Sequence, residues 1–355
     1  MSKIGLITIH DTQNYGSLLQ TYSLYKAVES LGYQVELIDY KCKAICERET
    51  TYSWNECRSP KDVLKTLMWH RSMQKKYDTF WHFMRDNMNL SPVFTKDNIS
   101  EANYRYDTFL VGSDIVWGAE ITGRDRTYFL DFVGDEKRKI SFSSSIGTKW
   151  NKDDEVIVKS DLERFDAICV REELAQTWLS EIGIKSSVTC DPTMLWGGNY
   201  WKEMVDTQEV SRRPYVFVYM WTDDKRTLNH AKKYAALHNL EVRCVQFYNP
   251  IKGVINVKPT SIQEWITLIA NADSVFTASY HGLLYSLYFH KDVYFYNRGN
   301  KSRMQSLSKE LKIEDREITD EFSERNSIDY EYVDKVLSKK REKSFLLLKE
   351  ILTEE

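Results

Sequence analysis

The segment KIGLITIHDTQNYGSLLQTYSLYKAVESLGYQVELIDY, residues 3–40, decides the fold. Its first seven residues are an apolar, isoleucine-rich run of strand length, followed by the polar loop HDTQNYGS. A helical pattern then sets Leu24, Val28 and Leu31 on one face until Gly32 stops it. QVELIDY, residues 34–40, resumes strand alternation, so the chain opens with a β-α-β unit.

The same rhythm continues outward from this unit. DTFLVGSD (107–114) and KISFSSSIG (139–147) are strand-like runs ending in small or polar residues. FDAICVREE (165–173), a helix over LAQTWLSEIG and SSVTCDPTML (186–195) repeat strand, helix, strand. The polar stretch GGNYWKEMVDTQEVSRRP, residues 197–214, is the best candidate for a domain linker. Beyond it come PYVFVYMW, a helix near 224–238, EVRCVQF, a helix near 261–272, SVFTAS, a helix from 282, DVYFYN and a helix near 303–311. Strands alternating with helices imply parallel sheets with right-handed crossovers, hence an α/β fold in each half. The last segment, 329–355, reads as an amphipathic helix with Val333, Val336 and residues 345–348 on its apolar side.

At 355 residues the chain is long enough for two domains, and 42% hydrophobic with 28% charged residues is globular composition. A net charge of −3 lacks the footprint expected of a nucleic-acid binder. The N-terminal apolar run is too short for a secretory signal and no segment is long enough to span a bilayer, so a cytoplasmic protein is expected. The six cysteines include no C-x-x-C pair, and the loose cluster Cys42, Cys46 and Cys57 lacks a fourth zinc ligand, so reduced thiols and no metal are expected. There is no G-x-G-x-x-G, no Walker A loop, no H-E-x-x-H and no G-x-S-x-G.

Residues 60–90 form a long helical pattern that is both aromatic and basic. The favoured reading is a helical insertion covering the first domain, because most amphipathic helices are packed surface helices. The alternative is a face that meets lipid or a membrane-bound partner, since basic residues beside Trp and Phe suit that boundary.

In open parallel sheets ligands bind beyond the carboxyl ends of the strands. The loops to search are therefore HDTQNYGS, VGSD, CVREE, CDPT and TASYHG. In the last, Ser279 can cap a helix whose first amides favour an anion, and His281 at that junction can act as a general acid or phosphate ligand. It can equally be a structural histidine that shapes the turn. Arg171 and Arg303 follow strands and are forks for carboxylate or phosphate, with ordinary ion pairs as the alternative.

As an ordered set, the opening segment, DTFLVGSDIVW, KISFSSSIG, VREE, CDPTML and NADSVFTASYHGLLYSLYF resemble the polysaccharide pyruvyl transferase family from about residue 3 to 310. The resemblance implies two Rossmann-like domains in a GT-B-like arrangement with a central cleft. The N-terminal domain is then 1–196, the expected acceptor side with a helical insertion about 60–90; the C-terminal domain is 213–328, the expected donor side; and 329–355 is a helix that could pack across both. It further implies transfer of a pyruvyl group from phosphoenolpyruvate to two hydroxyls of a sugar in a surface-glycan precursor, forming a ketal and releasing phosphate. No cofactor or metal is implied, phosphoenolpyruvate being a co-substrate. The acceptor is expected on a lipid carrier at the inner membrane face, with peripheral membrane contact and no nucleic acid.

Carried onto this chain, the resemblance makes His281 the acid or phosphate ligand and Arg171 and Arg303 the anion clamps, with Ser279, Tyr280 and Gly282 completing the donor site. Asn14, Tyr15, Gly16, Ser113, Asp114 and Trp117 become the acceptor side, where Asp114 or Asn14 orients or deprotonates the sugar. A helix cap is the alternative role for Asp114. The chain departs from the family pattern at Ile115, Gly118, Ala278 and Ser279, which bears on acceptor identity and donor detail. Two other readings stand beside it: a nucleotide-sugar-dependent GT-B glycosyltransferase and a non-catalytic glycan-binding relative.

Overall fold

The computed structural model describes residues 3–49, 51–207, 213–220, 224–297, 301–321 and 323–353. They group into two compact units, one of 1–50, 84–196 and 339–355, the other of 51–83 and 197–338.

The first unit is built on seven parallel strands: β1 Lys3–Ile7, β2 Gln34–Tyr40, β3 Leu90–Phe94, β4 Thr108–Val111, β5 Arg138–Ser144, β6 Ala167–Val170 and β7 Ser187–Val188. Their order across the sheet is β3-β2-β1-β4-β5-β6-β7. Helices α1 Tyr15–Ser30, α2 Lys43–Arg48, α3 Pro60–Asn87, α4 Ala119–Thr122, α5 Lys152–Leu162 and α6 Glu173–Glu181 lie along this half of the chain. α1 forms where the opening segment predicts it: Asn14 caps it, Leu31 closes it and Gly32 leaves it at φ 90°, which a side chain resists. Ile4, Leu6 and Ile7 of β1 are buried, as a central strand covered on both faces requires.

The second unit carries α7 Gly198–Lys202, β8 Tyr215–Tyr219, α8 Lys225–His238, β9 Glu241–Val245, β10 Ile255–Val257, α9 Ile262–Ala270, β11 Ser274–Thr277, α10 Tyr280–Tyr288, β12 Asp292–Phe295, α11 Lys301–Glu310 and α12 Tyr330–Thr353. Its sheet is parallel in the order β10-β9-β8-β11-β12. Relabelled from its own first strand this is 3-2-1-4-5, the same order as the first five strands of the other sheet. Both units are therefore Rossmann-like, and each has a point, β1/β4 and β8/β11, where the strand order reverses.

Two expectations are corrected and two strands are added. Residues 60–83 of α3 belong with the second unit, because Met73 and Phe80 bury there, Ser72 Oγ donates to Phe247 O at 3.0 Å and Thr79 Oγ1 to Thr260 O at 3.2 Å. The stretch 197–214 is not all linker: 198–202 are helical and Trp201 is fully buried against Tyr285 at 4.9 Å, while 208–212 lie outside the described residues. Strands β3 and β10 had no counterpart in the sequence reading. Both are sheet edges, β3 carries Pro92 and β10 has three residues, so neither has the long apolar run that marks a central strand. In α12, residues up to Ser338 group with the second unit and those from Lys339 with the first.

Candidate functional site

At the first reversal the loops after β1 and β4 are tied together. Thr8 Oγ1 donates to Ser113 O at 3.0 Å, Ser113 N donates to Gln20 Oε1 at 3.3 Å, and the Ser17 hydroxyl bonds the Asp114 carboxylate. Gly112 has φ 150°, and a Cβ there would lie 1.9 Å from Phe142 O, so β4 must end in glycine to bring the Ser113–Asp114 turn against β5. Asp114 sits at φ 67° and takes the Ile115 amide at 2.9 Å on its other carboxylate oxygen. These loops gather Asn14, Tyr15, Gly16, Ser113 and Asp114 at one end of the sheet.

Within that group the roles differ. Asn14 is the helix cap, its Oδ1 accepting from Gly16 N at 2.9 Å, and Tyr15 and Gly16 are buried in the first turn. Trp117 departs from its expected place on the acceptor surface. It is fully buried, stacks on Phe129 with ring centres 5.7 Å apart, and its indole N–H donates to Tyr128 O at 2.9 Å. The large ring is worth more in the core than at a wet surface.

The Arg171 side chain is buried too, with Nε 3.0 Å from Glu172 Oε1 and a terminal nitrogen 3.0 Å from Asp191 Oδ2. Two carboxylates already answer its charge, which is the geometry of the ion-pair alternative that the sequence left open beside the anion clamp.

A cluster that the sequence reading did not assemble lies beside the same loops. His10 Nε2 is 3.0 Å from Asp39 Oδ1 and Nδ1 is 3.2 Å from Thr8 O, so both ring nitrogens have an oxygen partner. Lys41 Nζ reaches Asp11 at 2.8 Å and Asp39 at 3.0 Å. Burial works to raise the Asp39 carboxyl, but His10 and Lys41 outweigh it and hold it below its usual value. Burial works to lower Lys41, and Asp11 with Asp39 outweigh it and push the ammonium up. The signal was present: His10 and Asp11 open HDTQNYGS, and Asp39 and Lys41 flank the end of β2.

At the second reversal, β8 and β11 pair Tyr219 with Thr277. Thr277 Oγ1 donates to Tyr219 O at 2.8 Å and accepts from Ser279 N at 3.1 Å, turning the chain sharply into α10. Ser279 caps that helix, its Oγ accepting from Gly282 N at 3.4 Å, as the sequence predicts; the helix itself begins two residues earlier than expected. A Cβ on Gly282 would fall 2.2 Å from Thr277 Oγ1, so glycine lets α10 press against β11. Leu283, Leu284, Tyr285 and Leu287 are fully buried, with Tyr285 5.4 Å from the Trp265 ring, which seats the helix rigidly.

At the open end of α10 the residues of the second unit that the resemblance assigns to the donor come together. The Tyr280 and His281 rings are perpendicular at 5.2 Å, and the Arg303 guanidinium is 5.9 Å from the centre of Tyr280. Arg226, at the start of α8, lies 5.1 Å from the Tyr296 ring just after β12 and 3.0 Å from Asp320. Arg226 and Tyr296 were not singled out by sequence, since each is an isolated residue with no motif around it. Ser279, Tyr280, His281, Gly282 and Arg303 thus form one group in the second unit, whereas Arg171 belongs to the first. Such a group, a helix N-terminus with an imidazole and a guanidinium, suits a small anion. Among the described residues no cluster of His, Cys, Asp and Glu is arranged to hold a metal ion, and no helix is long and apolar enough to cross a membrane.

Solved structures with the same fold include S. aureus MnaA with UDP (12% identity, 96% of this chain and 88% of that one, TM-score 0.51) and a putative UDP-N-acetylglucosamine 2-epimerase from Listeria monocytogenes (10% identity, 97% and 91%, TM-score 0.53). The UDP-GlcNAc 2-epimerase from Neisseria meningitidis, bound to UDP-GlcNAc, matches at 9% identity over 99% of both chains with TM-score 0.52. These neighbours place the chain in the GT-B fold class. No protein of curated function matches the sequence. The family model for polysaccharide pyruvyl transferases matches residues 14–300, running from the Asn14 cap through the Gly112–Asp114 turn to the Ser279–Gly282 helix start and ending just before α11. That match covers well over half of the chain, so the chain belongs to the polysaccharide pyruvyl transferase family.

Proposed function

We propose that the protein transfers a pyruvyl group from phosphoenolpyruvate to two hydroxyls of a sugar in a surface-glycan precursor, forming a cyclic ketal and releasing phosphate. The observation that carries this reading is the joining of Arg303, Tyr280 and His281 at the capped start of α10, in a chain of this family. Phosphoenolpyruvate is a small polyanion, and helix amides with a guanidinium and an imidazole answer it without a nucleotide pocket.

In this scheme a proton is added to the methylene carbon while one sugar hydroxyl attacks C2. The C2–O bond to phosphate then breaks, and the second hydroxyl closes the ring on C2. Of the two hydroxyl protons released, one balances the proton taken by the methylene carbon and the other is carried off by phosphate or solvent. His281 serves as the acid or as the phosphate ligand, and Arg303 holds the phosphate or carboxylate. Asp114 orients or deprotonates an acceptor hydroxyl.

The test is incubation with phosphoenolpyruvate and a panel of free and lipid-linked sugars. Acceptor-dependent phosphate release, with the acceptor gaining the mass of one pyruvate ketal, supports the reading. Stabilisation against heat by UDP-sugars and not by phosphoenolpyruvate would replace it with nucleotide-sugar chemistry, since fold alone does not choose between them.

A further inference from the structure

Helix α3 buries Thr66, Met73 and Phe80 along one face, so its opposite face in the first turns should be polar. It is apolar instead: Leu64 is 58% exposed, Leu67 67% and Met68 55%, with Trp54 52% exposed shortly before the helix. Leu64, Leu67 and Met68 are spaced to form one strip, and Arg71 and Lys75 continue it on the next turns. Two adjacent leucines left this bare by a helix that is otherwise well packed call for a partner.

The charge around the strip identifies the partner. Between residues 58 and 76 there are six basic side chains and a single acid, Asp62, whose carboxylate takes the Ser59 hydroxyl at 2.7 Å, in a chain whose net charge is −3. Beside the strip lies a depression of about 330 Å³ lined by Arg71, Lys75, Lys76 and Lys258 with Met68 and Phe247, and without an acidic side chain. Lys76 lies 4.8 Å from the Phe247 ring, so its stem covers apolar surface while its head remains among the other cations. An apolar strip bordered by cations is the surface that a bilayer rich in anionic headgroups complements, with leucines entering the acyl boundary and lysines meeting phosphates.

We propose that the first turns of α3 dock the protein on an anionic phospholipid surface. This inference stands on the α3 face alone and does not rest on the pyruvyl-transfer reading: a chain inactive toward phosphoenolpyruvate would still dock.

The test is flotation of the full chain with vesicles of phosphatidylcholine and of equal parts phosphatidylcholine and phosphatidylglycerol. The wild type is expected to float only with the anionic vesicles and to be released by high salt. Leu64→Ser with Leu67→Ser, and separately Arg71→Glu with Lys75→Glu, should each lower the vesicle-bound fraction by about tenfold or more while melting like the wild type. Lys152→Glu, at the exposed start of α5 in the other unit, should float unchanged. Absence of wild-type flotation, equal flotation on neutral vesicles, or variants that float like the wild type would overturn the proposal. A dimer in light scattering that Leu64→Ser with Leu67→Ser dissociates would also overturn it, by showing that a second copy covers the strip.

Discussion

The Arg303 guanidinium lies 5.9 Å from the centre of the Tyr280 ring. Since Tyr280 is the first residue of α10 and abuts His281, the contact ties a cation from α11 to the helix start that Ser279 caps. Arg303→Ala should lower turnover with phosphoenolpyruvate by roughly 10²-fold, the scale of losing one preorganised charge contact. His281→Ala should lower it by ~10²–10⁴-fold if the ring supplies the proton. Steady-state phosphate release checks both, and Arg303→Lys should recover part of the loss. Wild-type rates in both alanine variants would remove this group from the chemistry.

Gly282→Ala should destabilise the second unit by about 1–3 kcal/mol, because the new methyl would fall 2.2 Å from Thr277 Oγ1 at the tightest point of the β11–α10 turn. Adding Thr277→Ala removes that oxygen and should return part of the loss, a positive coupling readable from denaturant midpoints of the two single variants and the double. Purely additive effects would mean that the crowding is relieved elsewhere.

Arg171 gives a contrast between two roles that sequence alone left open. Replacing it with leucine strands the buried Asp191 and Glu172 carboxylates and should cost roughly 3–5 kcal/mol in stability. A large drop in melting temperature with phosphoenolpyruvate affinity retained is the expected pattern; unchanged stability with lost affinity would restore Arg171 as a donor ligand.

The Asp39 carboxyl is lowered in the folded state from its ordinary value of 3.8: burial, acting to raise it, is outweighed by His10 and Lys41. A lowered carboxyl contributes stability that is fully present above its unfolded pKa and is lost as pH falls through the folded one. The wild type should therefore lose stability below about pH 4, and Asp39→Asn should flatten that acid limb while lowering stability near neutrality. Urea melts between acid and neutral pH measure it; an unchanged acid limb would show that Asp39 does not contribute.

The fold was legible wherever strands are central and buried on both faces. β1, β2, β8 and β11 announce themselves as apolar runs between polar loops, and the strand-reversal loops follow from them. The edges were not legible, because β3 is broken by Pro92 and β10 is too short to carry a pattern. At the sites, caps were readable from local chemistry, as Ser279 illustrates. The burial of Trp117 and of Arg171 was not legible, because it depends on partners distant in sequence: Tyr128 and Phe129 for one, Asp191 for the other. The His10–Asp39–Lys41 cluster was missed because its members sit at the ends of two different strands and meet only once those strands pair.

The central claim is that phosphoenolpyruvate is held at the start of α10, and a crystal structure of the chain with that ligand tests it most directly. The account predicts the phosphate at the first amides of α10, within hydrogen-bonding distance of His281 and with Arg303 on the phosphate or carboxylate. Phosphoenolpyruvate bound away from Tyr280, His281 and Arg303, or no binding at saturating ligand, would contradict it.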